Sequence, residues 1–242
     1  MSTSPPWLDL LKKYAYLSKF HLENALLPSR KSYLVRADSV RTLRTSIDWL
    51  ENYIGQPHEQ LGRSGDICPF VRTALKRDKM DFLVFPHITK ASTQTISNIF
   101  ISEGLKLLKH LNPSDTEMEL TTTNIVFPNM DKNNAPVLHD AHTYSKRFLT
   151  SRGVMLAVFY EGYQRPGIYN PDFKLYQSPF PIAAIRPMAL HDIIFLELNE
   201  EGFREYWSRY KNRYHQKKVP EKYGYYERFE AAEKRFSLNE QA

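Results

Sequence analysis

"GVMLAVFYEGYQRPGIYNPDFKLYQSPFPIAAIRP", residues 153–187, settles the class of the fold. Two apolar runs of strand type, 153–160 and 179–187, flank the 18-residue loop "EGYQRPGIYNPDFKLYQS". Two successive strands with no helix between them argue against a fully parallel sheet. A loop of that length inside a compact domain is usually functional or disordered.

Upstream, "DFLVFPH" (81–87) and "TTTNIVFPN" (121–129) read as two further strands, each closed by a proline. Between them, 92–111 places Ile96, Ile99, Phe100, Leu107 and Leu111 at helical spacing. Helices are also expected over 7–27, 39–54 and 137–151, over the segment from Asn199 to about Lys218, and in the tail from Tyr223. The run 189–198 fits a strand or a short helix equally well. The segment 55–70 is turn-rich and expected to be irregular.

The expectation is an α+β fold: a mixed, mainly antiparallel sheet of about four strands, with helices packed on one side. We expect a single domain over 1–242, with 1–57 as an N-terminal helical part and 199–242 as a C-terminal helical part. There is no internal repeat.

The chain has 242 residues, 42% of them apolar, enough to bury a core. A single cysteine excludes an intrachain disulfide and a cysteine-rich zinc site. No run approaches the roughly 20 apolar residues of a membrane span. "MSTSPPWLDLLKKY" lacks the charged start and apolar run of a signal peptide. These features predict a cytoplasmic protein with no membrane partner. Homo-oligomerisation is left open.

The net charge of +6 is uneven. "REYWSRYKNRYHQKKVPEK" (204–222) holds seven Lys or Arg against two Glu, interleaved with Tyr206, Trp207, Tyr210 and Tyr214. Such a stretch can track a phosphate backbone and stack bases. The plainer reading is an amphipathic helix that buries Phe203, Trp207, Tyr210 and Tyr214, and nucleic acid is the weaker expectation.

Familiar catalytic motifs are absent. "LHDAHTY" sets His139 and His142 three apart beside Asp140, a spacing that suits a shared metal or a polar helix face. "AAIRPMALHDIIFL" sets Arg186, His191 and Asp192 between apolar runs. His191 suits a haem axial ligand or a general base, with Asp192 or a backbone carbonyl fixing its tautomer. Arg186 suits a propionate or a substrate carboxylate. The plainer alternative is an Arg–Asp pair at a strand end. Cys68, in "RSGDICPFVRTAL" (63–75), follows Gly65 and precedes Pro69, which biases it towards extended backbone. Arg63 and Arg72 favour a thiolate there, and a small buried hydrophobe is the plainer role.

"LGRSGDICPF" (61–70), and "PFPIAAIRPMALHDIIFL" (179–196) after an "NPDF" loop, resemble an uncharacterised group of bacterial proteins. Their pattern is roughly L-G-R-x-G-x-V-C-P-F with a later A-I-R-x-M-x-x-H-D, and the resemblance spans about Trp49 to Leu196. More distantly, the layout is similar to the YqcI/YcgG family, some of whose members are haem-dependent N-oxygenases acting on guanidine or amine groups. The resemblance implies a small-molecule enzyme of specialised metabolism, oxidising a nitrogen-containing substrate at a haem.

By position, His191 would be the late histidine and Cys68 the early cysteine, with Cys68 and Phe70 lining the pocket. Cys68, Arg186 and Asp192 would serve catalysis. Where those families show Phe/Leu-His-Pro, this chain has Phe159, Tyr160 and Glu161, so Tyr160 becomes the alternative iron ligand. The competing expectation is a cofactor-free domain, binding a small molecule or a protein, in which the 161–178 loop holds the ligand or partner.

Overall fold

The computed structural model of the protein describes residues 37–112, 115 and 117–238. The helix expected over 7–27 lies outside the described residues. Helix α1 (Ala37–Trp49) passes directly into a wider π-type turn, Leu50–Ile54, closed where Gly55 N donates to Leu50 O at 2.7 Å. Of the face expected from spacing, Val40, Leu43, Ile47, Leu50 and Ile54, all but the half-buried Val40 are buried. A 3₁₀ turn, Glu59–Leu61, and the short helix α2 (Val71–Lys76) follow. Helix α2 was not expected from the sequence, because six residues are too few to display a helical period.

Strand β1 (Met80–Val84), helix α3 (Thr93–His110) and strand β2 (Thr122–Val126) come next. The side chain of Ser92 starts α3 by accepting from Thr95 N at 3.2 Å. β1 and β2 run parallel, from Met80 opposite Thr122 to Val84 opposite Val126, and α3 is the crossover that parallel neighbours require. Helix α4 (Val137–Thr150), strand β3 (Val154–Phe159) and strand β4 (Ile182–Pro187) complete the sheet, whose order is β1-β2-β4-β3. The fold is α+β, and its four-stranded sheet is mixed and mostly antiparallel.

After β4 the ambiguous run resolves as a 3₁₀ turn, Leu190–Asp192, leading into helix α5 (Ile193–Leu196). Helix α6 (Glu200–His215) opens on Asn199, whose Oδ1 accepts from Gly202 N at 2.7 Å. Helix α7 is Tyr225–Arg235. No helix among the described residues is long and apolar enough to cross a membrane.

The chain divides into two compact units, each assembled from three stretches. Among the described residues the first is 37–91, 120–138 and 158–184, and the second is 92–112, 115, 117–119, 139–157 and 185–238. In the first, Phe82, Ile125, Val126 and Phe127 are buried, as is the α1 face. In the second, Phe203, Tyr206, Tyr210 and Tyr214 of α6 are buried, and Phe203 and Tyr214 meet Phe229 of α7, the latter stacked at 3.9 Å. Tyr206, not Trp207, completes this buried stripe. Trp207 lies at its edge, with Lys211 Nζ 3.8 Å from its ring centroid.

Candidate functional site

In the first unit the 161–178 loop is tied to the segment that carries Cys68. Trp49 Nε1 donates to Gln177 O at 2.9 Å, and the Tyr53 hydroxyl donates to Leu175 O at 3.1 Å. Asn170 Nδ2 donates to Gln60 O at 2.8 Å, and His58 stacks on Phe173 at 4.3 Å. The loop also binds itself. Gln177 Nε2 donates to Tyr163 O at 2.6 Å, and its Oε1 accepts from Gly162 N at 2.7 Å. The "LGR" and "NPDF" strings therefore meet in space.

Gly62 is what lets them meet. Its φ of +77° is left-handed, and a methyl group there would lie 3.0 Å from Tyr169 O. The guanidinium of Arg63 stands 5.7 Å from the Tyr169 ring.

Tyr176 is the centre of this junction. It is buried, Arg165 stands 5.2 Å from its ring, and the Tyr163 ring is 6.0 Å away. Cys68 is half-buried and close enough to act on the Tyr176 hydroxyl electrostatically. Burial pushes the Tyr176 and Tyr163 hydroxyls up from their ordinary range, and the Arg165 charge opposes the rise. Both phenols are therefore neutral at neutral pH. A thiol, two neutral phenols and a cation gather here in aromatic walls.

That set can hold an anionic group by hydrogen bonds and charge beside an apolar body. The backbone of Cys68 is fixed, its N–H donating to Ile54 O at 2.9 Å. The two arginines expected to act on the thiol have other partners: Arg72 pairs with Asp66, and Arg63 donates to Ser64 O and Ile67 O. Phe70 is half-buried at the start of α2. Tyr160 is buried and stacks on Tyr163 at 4.5 Å, with its N–H directed to Tyr176 O at 3.3 Å.

The second unit holds Arg186, His191 and Asp192. Both terminal nitrogens of Arg186 reach the Asp192 carboxylate, at 2.5 and 2.7 Å, and Nη1 also donates to Pro187 O at 2.9 Å. Asp192 is fully buried and accepts from Ala189 N at 2.7 Å. This bidentate pair pins the turn after β4 and selects helix over strand for the run that follows. Tyr206 and Tyr210 donate to the carbonyls of Leu190 and Met188, at 2.7 and 2.8 Å. Burial raises the hydroxyls of all three stripe tyrosines, Tyr214 to about 12. His191 Nδ1 lies 2.7 Å from the Tyr225 hydroxyl.

Glu119 adjoins this cluster and carries no motif that would have marked it. Burial raises its carboxyl, while Arg213, Arg186 and a 3.3 Å bond from Tyr210 pull the other way.

A haem needs an iron ligand and anchors for its propionates. Tyr225 holds Nδ1 of His191, as the partner of a ligating imidazole does, but Arg186 is committed to Asp192 and Tyr160 stacks on Tyr163. As a set these residues do not fit the group.

His139 is exposed, while His142 is buried with Nε2 3.2 Å from Leu156 O. Among the described residues no group of three or more His, Cys, Asp or Glu is placed to hold a metal ion. On α6 the tyrosines that would stack bases are buried, and Arg204 and Arg209 pair with Glu200 and Glu205. Arg165, Tyr163 and Tyr176 were missed individually from the sequence. The length of their loop was the one signal that pointed to them.

No curated protein and no solved structure matches the chain. A family model does match, over residues 43–221, a span that includes Cys68, Tyr176, Arg186 and His191. The chain belongs to the family described as Domain of unknown function (DUF6875).

Proposed function

We propose that the chain is a cofactor-free domain that binds a small anionic molecule at the junction of the 61–70 segment and the 161–178 loop. One observation carries this reading: Cys68 acts on Tyr176, which shares with Tyr163 and Arg165 a long loop fastened at its middle and its C-terminal end. Arg165 would take the negative charge of the ligand, the neutral phenols would donate to it, and the tyrosine rings would cover its apolar part. Cys68 and Phe70 would line the wall. The competing haem-dependent oxidation of a nitrogen-containing substrate rests on the distant likeness to the YqcI/YcgG family, and the Arg186–Asp192 pair speaks against it.

An ultraviolet–visible spectrum of the purified protein, repeated after adding haemin and dithionite, separates the two. A colourless protein that takes up no haemin is expected. A stoichiometric Soret band that moves on reduction would overturn the proposal. His191→Ala would then be the first variant, because Tyr225 already orients that ring through Nδ1.

A further inference from the structure

The surface of the second unit carries an open groove of about 780 Å³, lined by Ile101, Tyr144, Phe148, Arg152 and parts of α6. Its charged residues are mostly neutralised. Arg147 pairs with Glu201, and Arg204 holds Glu200. Arg152 differs from them, because it has no acidic partner among the described residues.

This arginine is also fixed in place. Its guanidinium lies 3.6 Å from the Phe148 ring centroid, and Nη1 donates to Phe148 O at 3.0 Å and to Ser151 Oγ at 3.2 Å. Its backbone is held as well. Arg209, bonded to Glu205 at 2.6 Å, donates through Nη2 to Arg152 O at 3.3 Å. Gly153 permits this, for at φ +74° a methyl group there would sit on the Arg209 guanidinium.

Two of the five guanidinium N–H groups are thus used, and the Nε–Nη2 edge keeps three donors in the fork that fits a carboxylate. Tyr144, 62% exposed, and Ile101 offer apolar surface in the same groove. Arg147, Arg152 and Arg204 against Glu201 and Glu205 leave the lining one positive charge in excess, which suits a monoanion better than a phosphate dianion.

We infer that this groove is a second ligand site, which takes a carboxylic acid with a flat apolar body. The carboxylate sits on the Arg152 fork and the body against Tyr144 and Ile101. The site is separate from the Cys68 junction and does not depend on it.

The probe is 2-naphthoate, titrated by calorimetry into the full-length protein and into the Arg152→Met, Arg152→Lys and Arg165→Ala variants. The expected result is saturable binding that survives Arg165→Ala. Arg152→Met should weaken it about tenfold or more, the loss for one charge-assisted contact. Lysine, a point charge without the fork, should restore only part of it. The amide 2-naphthamide and the dianion 2-naphthyl phosphate should both bind more weakly. Arg152 also caps α4, so thermal melts accompany the titrations, and the Lys variant and the amide test the site if Arg152→Met unfolds. No saturable binding at millimolar probe would overturn the inference, as would binding unchanged by Arg152→Met. Binding lost in Arg165→Ala alone would assign the probe to the junction and overturn it too.

Discussion

The two units each gather titratable side chains and aromatic rings, but they use them differently. Around Asp192 the polar atoms are directed at the backbone: Arg186 to Pro187 O, Tyr206 to Leu190 O, Tyr210 to Met188 O, and Asp192 to Ala189 N. That is how a chain holds a corner in shape. Around Tyr176, backbone-directed bonds come from Trp49, Tyr53, Asn170 and Gln177, which fasten the loop. A different set surrounds Tyr176: Arg165 and Tyr163 stand 5.2 and 6.0 Å from its ring, and Cys68 acts on its hydroxyl electrostatically. Fastening and contact are assigned to separate residues at the junction and merged in the clamp. Arg186, His191 and Asp192 form the more conspicuous motif in the sequence, yet the bonds of Arg186 and Asp192 are those of a scaffold.

The largest effect should come from breaking the clamp. Asp192→Ala leaves the Arg186 charge and the Ala189 N–H without their acceptor, and should cost about 3–5 kcal/mol in denaturant unfolding. If Asp192 only supports the fold, a partial rescue by Asn should recover stability and leave the chemistry of Cys68 unchanged. Full stability in Asp192→Ala would break the contrast between the two regions.

Gly62→Ala should cost less, about 1–3 kcal/mol from its left-handed backbone. It also pushes Tyr169 off its seat. Its clearer sign should be faster alkylation of Cys68 in the native protein, since the loop loses one of its fastenings. Unchanged labelling would mean that the loop does not control access to the thiol.

The smallest effect sharpens the view of the second unit. The Glu119 carboxyl is raised by burial, so the folded state binds its proton more tightly than the unfolded chain does. Its contribution is therefore fully present below the ordinary glutamate range and is lost as pH rises through the raised folded value. Tyr210 and Arg213 from α6, Arg186 from β4 and Asp192 face it. Unfolding from pH 4 to pH 7 should show the native protein losing stability relative to Glu119→Gln. Parallel curves would contradict the burial argument.

Much of the architecture was legible before the structure. Apolar spacing located α3, because a buried face imposes its period on the sequence, and apolar or β-rich runs located all four strands. Strand ends were overrun at Pro86 and Pro128, since a proline marks the end of pairing only to within a few residues. The buried face of α6 was misjudged by one position. Tyr206 and Trp207 are adjacent and both aromatic, and periodicity alone cannot choose between them. The site was harder to read. Cys68 and Phe70 stood out by motif, but Arg165, Tyr163 and Tyr176 sit in a loop with no period, and their convergence depends on contacts with residues 49–68. Arg186 and Asp192 were visible as a pair. Which of anchor or clamp they formed depended on where Ala189 N and Pro187 O lay, which composition does not encode.

The most direct test of the junction uses the fact that Cys68 is the sole cysteine of the chain. The rate of its alkylation by iodoacetamide, followed by intact mass, would be measured alone and with a panel of small carboxylic and phosphoric acids. We predict that at least one member slows labelling about tenfold, and that Arg165→Ala abolishes the protection while leaving the melting temperature near that of the native protein. Labelling unaffected by every member of the panel, or protection that persists in Arg165→Ala, would contradict the assignment of the ligand to this junction.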